Sequence, residues 1–163
     1  MQESIAFPYL DQGDAWIDED APVEHIGAFT GAADAEAAAV RFTVNGGTGV
    51  VLRFAQFHGP GSSHVEAFNA MARKRINPFV GDPDGYVSFV HADDAGSAVA
   101  AELTVSSGTY NVADDEPLTR REAGPVIAEA LGVKPPRAVP APVRAAMPRS
   151  GKLLMRSLRI SNE

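Results

Sequence analysis

The chain has 163 residues, 45% of them hydrophobic and 21% charged, which fits a single globular domain with a sizeable core. It contains no cysteine, so disulfide bonds and thiolate metal sites are excluded. The net charge of −7 argues against nonspecific nucleic-acid binding, and no apolar run approaches the roughly 18 residues of a membrane span. We therefore expect a cytoplasmic protein with neither nucleic acid nor membrane as a partner.

The first third of the chain predicts a strand, an acidic loop and a helix. QESIAFPY reads as a strand that runs straight into a loop, as though an earlier part of the element were absent. Residues 11–24 contain DEDAP and form a surface loop by composition. Residues 29–44 predict a helix because AADAEAAAVRF consists of strong helix formers, and the NGGTG that follows supplies a glycine for the helix end.

Residues 49–61, GVVLRFAQFHGPG, contain the strand around which we expect the fold to be organised. Its apolar run is bounded by glycines, which is typical of a parallel strand buried on both faces. We predict that this central strand breaks at GPG. Because loops at the carboxyl ends of such strands hold ligands, Arg53, Gln56 and His58 are the first polar candidates for a site. The pattern also fits a plain core strand with a tight turn.

The rest of the chain continues the alternation of strands and helices. The predicted elements are a helix over 63–75, a strand over 86–91, a helix ending at Leu103, a strand over 109–112 and a helix ending at Gly132. Asp93 or Asp94 is predicted to cap the helix that ends at Leu103, and Thr119 with Glu122 has capping-box spacing at the start of the helix that ends at Gly132. Prolines from residue 135 onward predict an extended connector before a final helix that begins near Pro142.

This order predicts an α/β fold. The positive charge is uneven, because no Lys or Arg precedes Arg41 whereas nine follow Leu118. Such a basic tail contacts phosphates or an acidic partner, or it forms a solvated helix face.

Five short sequence motifs, each occurring once, follow one another along nearly the whole chain. They are ESIAFPY with IDEDAP behind it, LRFAQFHGPG at 52–61, VSFVHADDAGSAVAAEL at 87–103, GTYNVADDEPLT at 108–119 and RISN at 159–162. Together they resemble the carboxyl half of the extended short-chain dehydrogenase/reductases, the NAD-dependent epimerases and dehydratases. The resemblance implies a partial Rossmann-like parallel sheet with a small α/β substrate-binding lobe. It also implies NAD or NADP as cofactor, and mainly nucleotide sugars as substrates.

Two features that the resemblance implies are absent from the sequence. Members of the family begin with a βαβ unit whose glycine-rich turn binds the dinucleotide pyrophosphate, whereas Gly46, Gly47 and Gly49 precede a strand. The family's Tyr acid/base with a Lys four residues on is also missing, since residues 27–42 contain neither. We therefore expect residues 1–163 to form one incomplete domain, with 134–163 as connector and C-terminal helix, and the isolated chain to bind a dinucleotide poorly and to lack oxidoreductase activity.

The resemblance also implies roles for individual residues. Ser4 matches the catalytic Ser or Thr that bonds the substrate oxygen, although a strand-end hydroxyl bonded to backbone is the alternative. Phe54 and Ala55 fall where backbone approaches the nicotinamide, and Gln56 falls at a substrate contact. His58, from the strand-end argument, is the second predicted substrate-binding residue.

Two further patterns limit the function. Val87 stands where nucleotide-sugar enzymes place an Arg for the diphosphate, which weakens that substrate class. The four histidines show no metal-binding spacing, so no metal site is predicted. Two functions stay open. One is a small-molecule oxidoreductase that is inactive alone, and the other is a noncatalytic module that completes another subunit's sheet, as a homo-oligomer or a complementing subunit.

Overall fold

The computed structural model describes residues 1–137, 139–146 and 153–162. Strands and helices alternate along this part of the chain, so the predicted α/β class is confirmed. The strands are β1 Gln2–Ile5, β2 Trp16–Ile17, β3 Val50–Phe54, β4 Gln56–His58, β5 Tyr86–Val87, β6 Phe89–His91, β7 Gly108–Val112, β8 Leu118–Thr119 and β9 Arg159–Ile160. The helices are α1 Thr30–Val44, α2 Ser63–Arg73, α3 Ala92–Ala101, α4 Arg120–Ala130 and α5 Ala141–Ala145.

Strand β3 is the centre of a three-stranded parallel sheet with the order β1, β3, β7. All five of its residues are buried, as its continuous apolar run predicts. Val50, Leu52 and Phe54 belong to a core cluster that also contains Val90 and Ala95. The central strand is therefore the one that the sequence indicates.

A second short strand follows β3 after one residue. Residues 56–58 continue as β4, which pairs in parallel with β6. The predicted single strand over 86–91 is split at Ser88, because β5 pairs with β8 in antiparallel orientation whereas β6 pairs with β4. Ser88 Oγ donates to the Leu158 carbonyl and accepts from the Ile160 amide, which ties this junction to the C-terminal segment.

One predicted helix cap is wrong and another is confirmed. Helix α3 is capped by His91, whose Nδ1 accepts a hydrogen bond of 3.2 Å from the Asp93 amide. Asp93 and Asp94 lie in the first turn, where a negative charge interacts favourably with the helix dipole. Helix α4 begins with the predicted capping box, in which Glu122 accepts from the Thr119 amide at 2.9 Å.

The capping box gives a first prediction. Thr119→Ala is expected to lower the free energy of unfolding by about 1 kcal/mol, because an amide in the first turn of α4 loses its side-chain acceptor. The matched control is Ser97→Ala, an exposed serine inside α3 whose hydroxyl bonds only to the Asp93 carbonyl. Urea unfolding should leave the control within about 0.5 kcal/mol of the wild type. Equal effects of the two substitutions would contradict the assignment.

A second core cluster joins the N-terminal loop to the C-terminal strand. Ala6, Tyr9 and Ile17 pack with Leu158 and Ile160, and β2 pairs with β9. The loop that follows β1 and the C-terminal strand β9 are therefore held together. None of the helices in the described ranges has the length and apolar character needed to cross a membrane.

Candidate functional site

A cavity of about 170 Å³ opens at the carboxyl end of β3. Phe54, Ala55 and Gln56 all line it. These are the two residues predicted for the nicotinamide side and one of the two predicted for substrate. The cavity lies at the carboxyl end of the strand, where such folds hold ligands.

Most of the cavity wall is apolar and much of it is aromatic. The rings of Phe68 and Phe79 meet edge to face with centroids 5.3 Å apart, and Phe79 makes a similar contact with Phe89 at 5.6 Å. Phe7 lines the cavity as well and stacks on Phe29 at 6.1 Å. An apolar wall with few polar groups is typical of a small-molecule site.

Two arginines supply the positive charge in the wall. Arg120 is only 2% exposed, and its Nη2 donates to the Arg156 carbonyl at 2.6 Å. Arg156 is paired, because its Nη1 donates to the Tyr9 carbonyl at 3.1 Å and its Nη2 forms an ion pair with Glu24. The solvated-face interpretation of the basic tail is therefore wrong for these two residues.

Ser4 lies beside the cavity and not in its described wall. Its Oγ donates to Glu36 Oε1 at 2.5 Å, so its partner is a carboxylate on α1. Glu36 is held by the Arg53 guanidinium through two bonds, of 2.7 Å from Nη2 and 3.1 Å from Nε. Arg53 Nη1 also donates to the Tyr9 hydroxyl at 2.8 Å. Ser4 thus belongs to a part-buried ion-pair network.

The charges in this network are fixed by their surroundings. Burial would raise the pKa of Glu36, but hydrogen bonds from Arg53 and Ser4 hold it below its ordinary value. Burial raises the pKa of Tyr9, even though Arg53 opposes the shift. A phenol shifted in this direction is poorly suited to acid/base catalysis near neutral pH. Tyr9 is therefore no substitute for the absent Tyr and Lys pair.

His58 lies at the end of β4, outside the described cavity wall. Its Nε2 is 3.1 Å from Asp114 Oδ2, and its ring centroid is 5.0 Å from that of His91. Across residues 1–137, 139–146 and 153–162, no cluster of three or more histidine or carboxylate side chains could hold a metal ion.

Several residues of the site carry no signal in the sequence. Glu36 sits in an alanine-rich helix and Arg120 follows a capping threonine, so each looks like an ordinary helix residue. Only the tertiary fold brings them to β1 and to the cavity. Phe7 lies where the first predicted strand runs into a loop, and Phe79 lies between two predicted elements. The sequence does not distinguish either ring from other core aromatics.

The known proteins that this chain resembles are about twice its length. No protein-family model matches the chain. It is 36% identical over 151 residues to the 3-diazoavenalumate denitrifying reductase of a Streptomyces species, covering 86% of this chain and 49% of the relative. UDP-glucose 4-epimerase of Thermus thermophilus, solved with NAD, is 26% identical with a TM-score of 0.73, over 99% of this chain and 54% of that one.

A human protein gives a similar structural match. The epimerase family protein SDR39U1, solved with NADPH, has a TM-score of 0.79 at 20% identity, over 98% of this chain and 56% of that one. The chain therefore spans about half the length of the proteins it matches.

Proposed function

Since the chain has the Rossmann-like fold of the NAD-dependent epimerases and dehydratases, as its motifs predicted, we propose that it supplies the substrate side of an NAD(P)-dependent reductase site. The observation that carries the proposal is the cavity at the carboxyl end of β3, with Phe54, Ala55 and Gln56 in its wall. A named reductase among the relatives supports reduction over epimerisation. We include a cytoplasmic location, which the cysteine-free composition favours.

The cavity residues fit the nicotinamide end of a dinucleotide, but they provide no binding site for its pyrophosphate. NAD(P)H, when bound, supplies a hydride. The backbone at Phe54 and Ala55 would support the ring, and the apolar wall would exclude water from the acceptor atom. The glycine-rich turn that binds pyrophosphate does not occur in these 163 residues. We therefore propose that the isolated chain binds NAD(P) poorly and has no turnover.

The proposal favours acceptors that need no proton from a tyrosine. Helix α1 contains neither Tyr nor Lys, and the Tyr9 hydroxyl is committed to Arg53 and Asn111. Val87, in the cavity wall, offers no charge to a nucleotide diphosphate. The Streptomyces relative is named as acting on a diazo compound, and we propose a small electron-poor acceptor for this chain as well.

A chimera tests this function. The chain would be joined to the part of the Streptomyces relative that it does not match, and NADPH oxidation would be followed with that relative's substrate and with a nucleotide sugar. We expect NADPH-dependent reduction, and at least a tenfold loss in Ala55→Leu because the added side chain fills the cavity. Ala101→Leu, at an exposed position in α3, should leave the rate unchanged. A folded chimera that binds NADPH and reduces neither compound would contradict the proposal.

One observation favours the noncatalytic alternative. Strand β1 lies at an edge of the described central sheet, and α1 has no buried residue. Val40, Phe42 and Val44 of α1 are 60%, 59% and 81% exposed. A module that completes another subunit would associate through these surfaces, and Phe42→Ser would weaken that association. A monomer that unfolds cooperatively in sedimentation and melting experiments would count against this alternative.

A further inference from the structure

A groove between the end of α2 and the segment after α4 is lined by three positive charges. Lys74 and Arg75 follow α2 directly, and Arg137 belongs to the later segment. All three residues are exposed, and none forms an ion pair with a carboxylate of the described residues. The described lining of the groove contains no Asp or Glu. Because a cleft lined by charges of one sign concentrates counter-ions, this groove suits an anion.

The backbone of Arg75 has a conformation that favours glycine. Its φ is 60°, and within the described ranges it is the one non-glycine residue with a positive φ. The Arg75 amide donates to the Ala72 carbonyl at 2.8 Å, and the next amide, of Ile76, donates to the Met71 carbonyl at 2.9 Å. These two bonds form a Schellman motif, whose left-handed residue is usually glycine. The strain lies at a residue whose side chain lines the groove, which indicates a function for the guanidinium.

The two sides of the groove are joined by the backbone. The Arg137 amide donates to the Arg75 carbonyl at 3.0 Å, and residues 76 and 137 form an isolated parallel bridge. The neighbouring residues both pack on α4, since a Cβ built at Gly124 would lie 3.0 Å from Asn77 Oδ1 and from Pro136 Cγ. The fold therefore holds the groove in place before a ligand binds, which lowers the entropic cost of binding.

A favourable interaction with the helix dipole explains only part of this cluster. Basic residues near the end of a helix stabilise it, which accounts for Arg73 and Lys74. The dipole does not require an arginine in the left-handed position, and Arg137 is not part of α2. The two arginines of the groove therefore need a different explanation.

The rest of the groove and the charge of the whole chain limit the ligand. Its other described lining residues are Ile76, Val139 and Pro140, and Ile76 is 47% exposed, so an apolar surface adjoins the cations. Guanidinium groups bind phosphate oxygens in pairs, and lysine binds them as a point charge. The net charge of −7 opposes contact with nucleic acid or an anionic membrane, whereas a small anion responds to the local cations.

We propose that this groove binds a small soluble phosphate ester. The phosphate lies on Lys74, Arg75 and Arg137, and the apolar group of the ester lies on Ile76. The site is separate from the cavity at the carboxyl end of β3, because the described linings of the two share no residue. The inference therefore goes beyond the proposed function and does not depend on it.

The test uses the full chain, with phenyl phosphate as the probe. Calorimetry at low salt should show saturable binding, and phenol, which lacks the phosphate, should bind at least about tenfold more weakly. Added NaCl should weaken the binding of phenyl phosphate, because salt screens exposed charges.

Substitutions locate the bound phosphate. Arg75→Gly and Arg137→Gln should each weaken phenyl phosphate about threefold, and the double variant about tenfold, as expected for exposed charge pairs. Arg75→Gly should not lower the midpoint of urea unfolding, because glycine fits the left-handed backbone. Arg121→Gln, which removes an exposed arginine paired with Asp84, is the matched control and should leave the affinity unchanged. Ala55→Leu, which fills the separate cavity, should also leave it unchanged.

Four results would overturn the proposal. Two concern the wild-type chain, so they stand even if a variant fails to fold: no saturable binding of phenyl phosphate at millimolar concentration, or equal affinities for phenyl phosphate and phenol. The third is an unchanged affinity in the folded double variant, or a loss in folded Ala55→Leu. The fourth is sedimentation with vesicles of phosphatidylcholine and phosphatidic acid by a chain that does not bind phenyl phosphate, because the cations would then serve a lipid surface.

Discussion

Glu36→Ala is expected to lower the free energy of unfolding by about 3 kcal/mol, the largest effect of a single polar substitution that we predict. The change leaves the Arg53 guanidinium, whose side chain is 9% exposed, without its carboxylate, while Tyr9 and a backbone carbonyl remain as its acceptors. It also removes the acceptor of the Ser4 hydroxyl. Urea unfolding followed by circular dichroism measures the difference.

Asp34→Ala is the matched control for this prediction. Asp34 lies on the same helix, two residues away, and is exposed. Its replacement should change the unfolding free energy by no more than about 0.5 kcal/mol. If both alanine variants unfold at the same urea concentration, the network does not hold α1 against the sheet.

The same network predicts how stability depends on pH. The pKa of Glu36 in the folded chain lies below its ordinary value of 4.5, because hydrogen bonds from Arg53 and Ser4 outweigh burial. Its contribution is therefore complete above that value and is lost as the pH falls through the folded pKa. The gap in unfolding free energy between wild type and Glu36→Gln should shrink below pH 4.5. A gap that stays constant there would show that Glu36 does not titrate with folding.

Gly49→Ala is the second substitution with a large expected effect, a loss of about 3 kcal/mol through overpacking. A Cβ at Gly49 would overlap the Ala39 carbonyl oxygen and lie 2.5 Å from Thr43 Oγ1. The Gly49 amide also donates to that hydroxyl at 3.0 Å, so the end of α1 and the start of β3 are in direct contact. The added methyl group would force the helix away from the central strand.

Gly31→Ala is the control for this contact between α1 and β3. Gly31 lies inside α1 with open space where its Cβ would be. Alanine there should raise the free energy of unfolding by up to about 1 kcal/mol, since it favours the helix and restricts the unfolded chain. Thermal melts of the two variants should shift in opposite directions, and a shift in the same direction would contradict the packing of α1 on β3.

Local patterns predicted the parts of the fold that local chemistry decides. The buried run of β3, the helix-forming composition of α1 and the Thr119 capping box each depend on neighbouring residues in the chain. The cap of α3 was predicted wrongly, because aspartate is the commoner cap and nothing in the sequence shows that His91 Nδ1 faces the first turn. The split at Ser88 depends on pairing with β8 and β4, which are distant in sequence.

The candidate site was predicted only in part for the same reason. Phe54 ends a recognisable strand, and Ala55 and Gln56 follow it, so their position at its carboxyl end could be predicted from the sequence. Arg120 reaches the cavity through a helix start whose packing the sequence does not reveal. Ser4 occupies a strand position that the family resemblance identified. Its hydrogen-bond acceptor, Glu36, lies 32 residues further along the chain, and the sequence does not predict this contact. The catalytic role of Ser4 stays a prediction.

We propose that this chain carries the substrate side of a dinucleotide site, and that these 163 residues lack the glycine-rich turn that holds the pyrophosphate. Calorimetric titration of NADPH and NADH into the purified chain, with spectrophotometric assay of turnover, tests it most directly. We predict at most weak, non-stoichiometric binding of either dinucleotide and no turnover. Stoichiometric binding of one of them together with measurable turnover would contradict the claim.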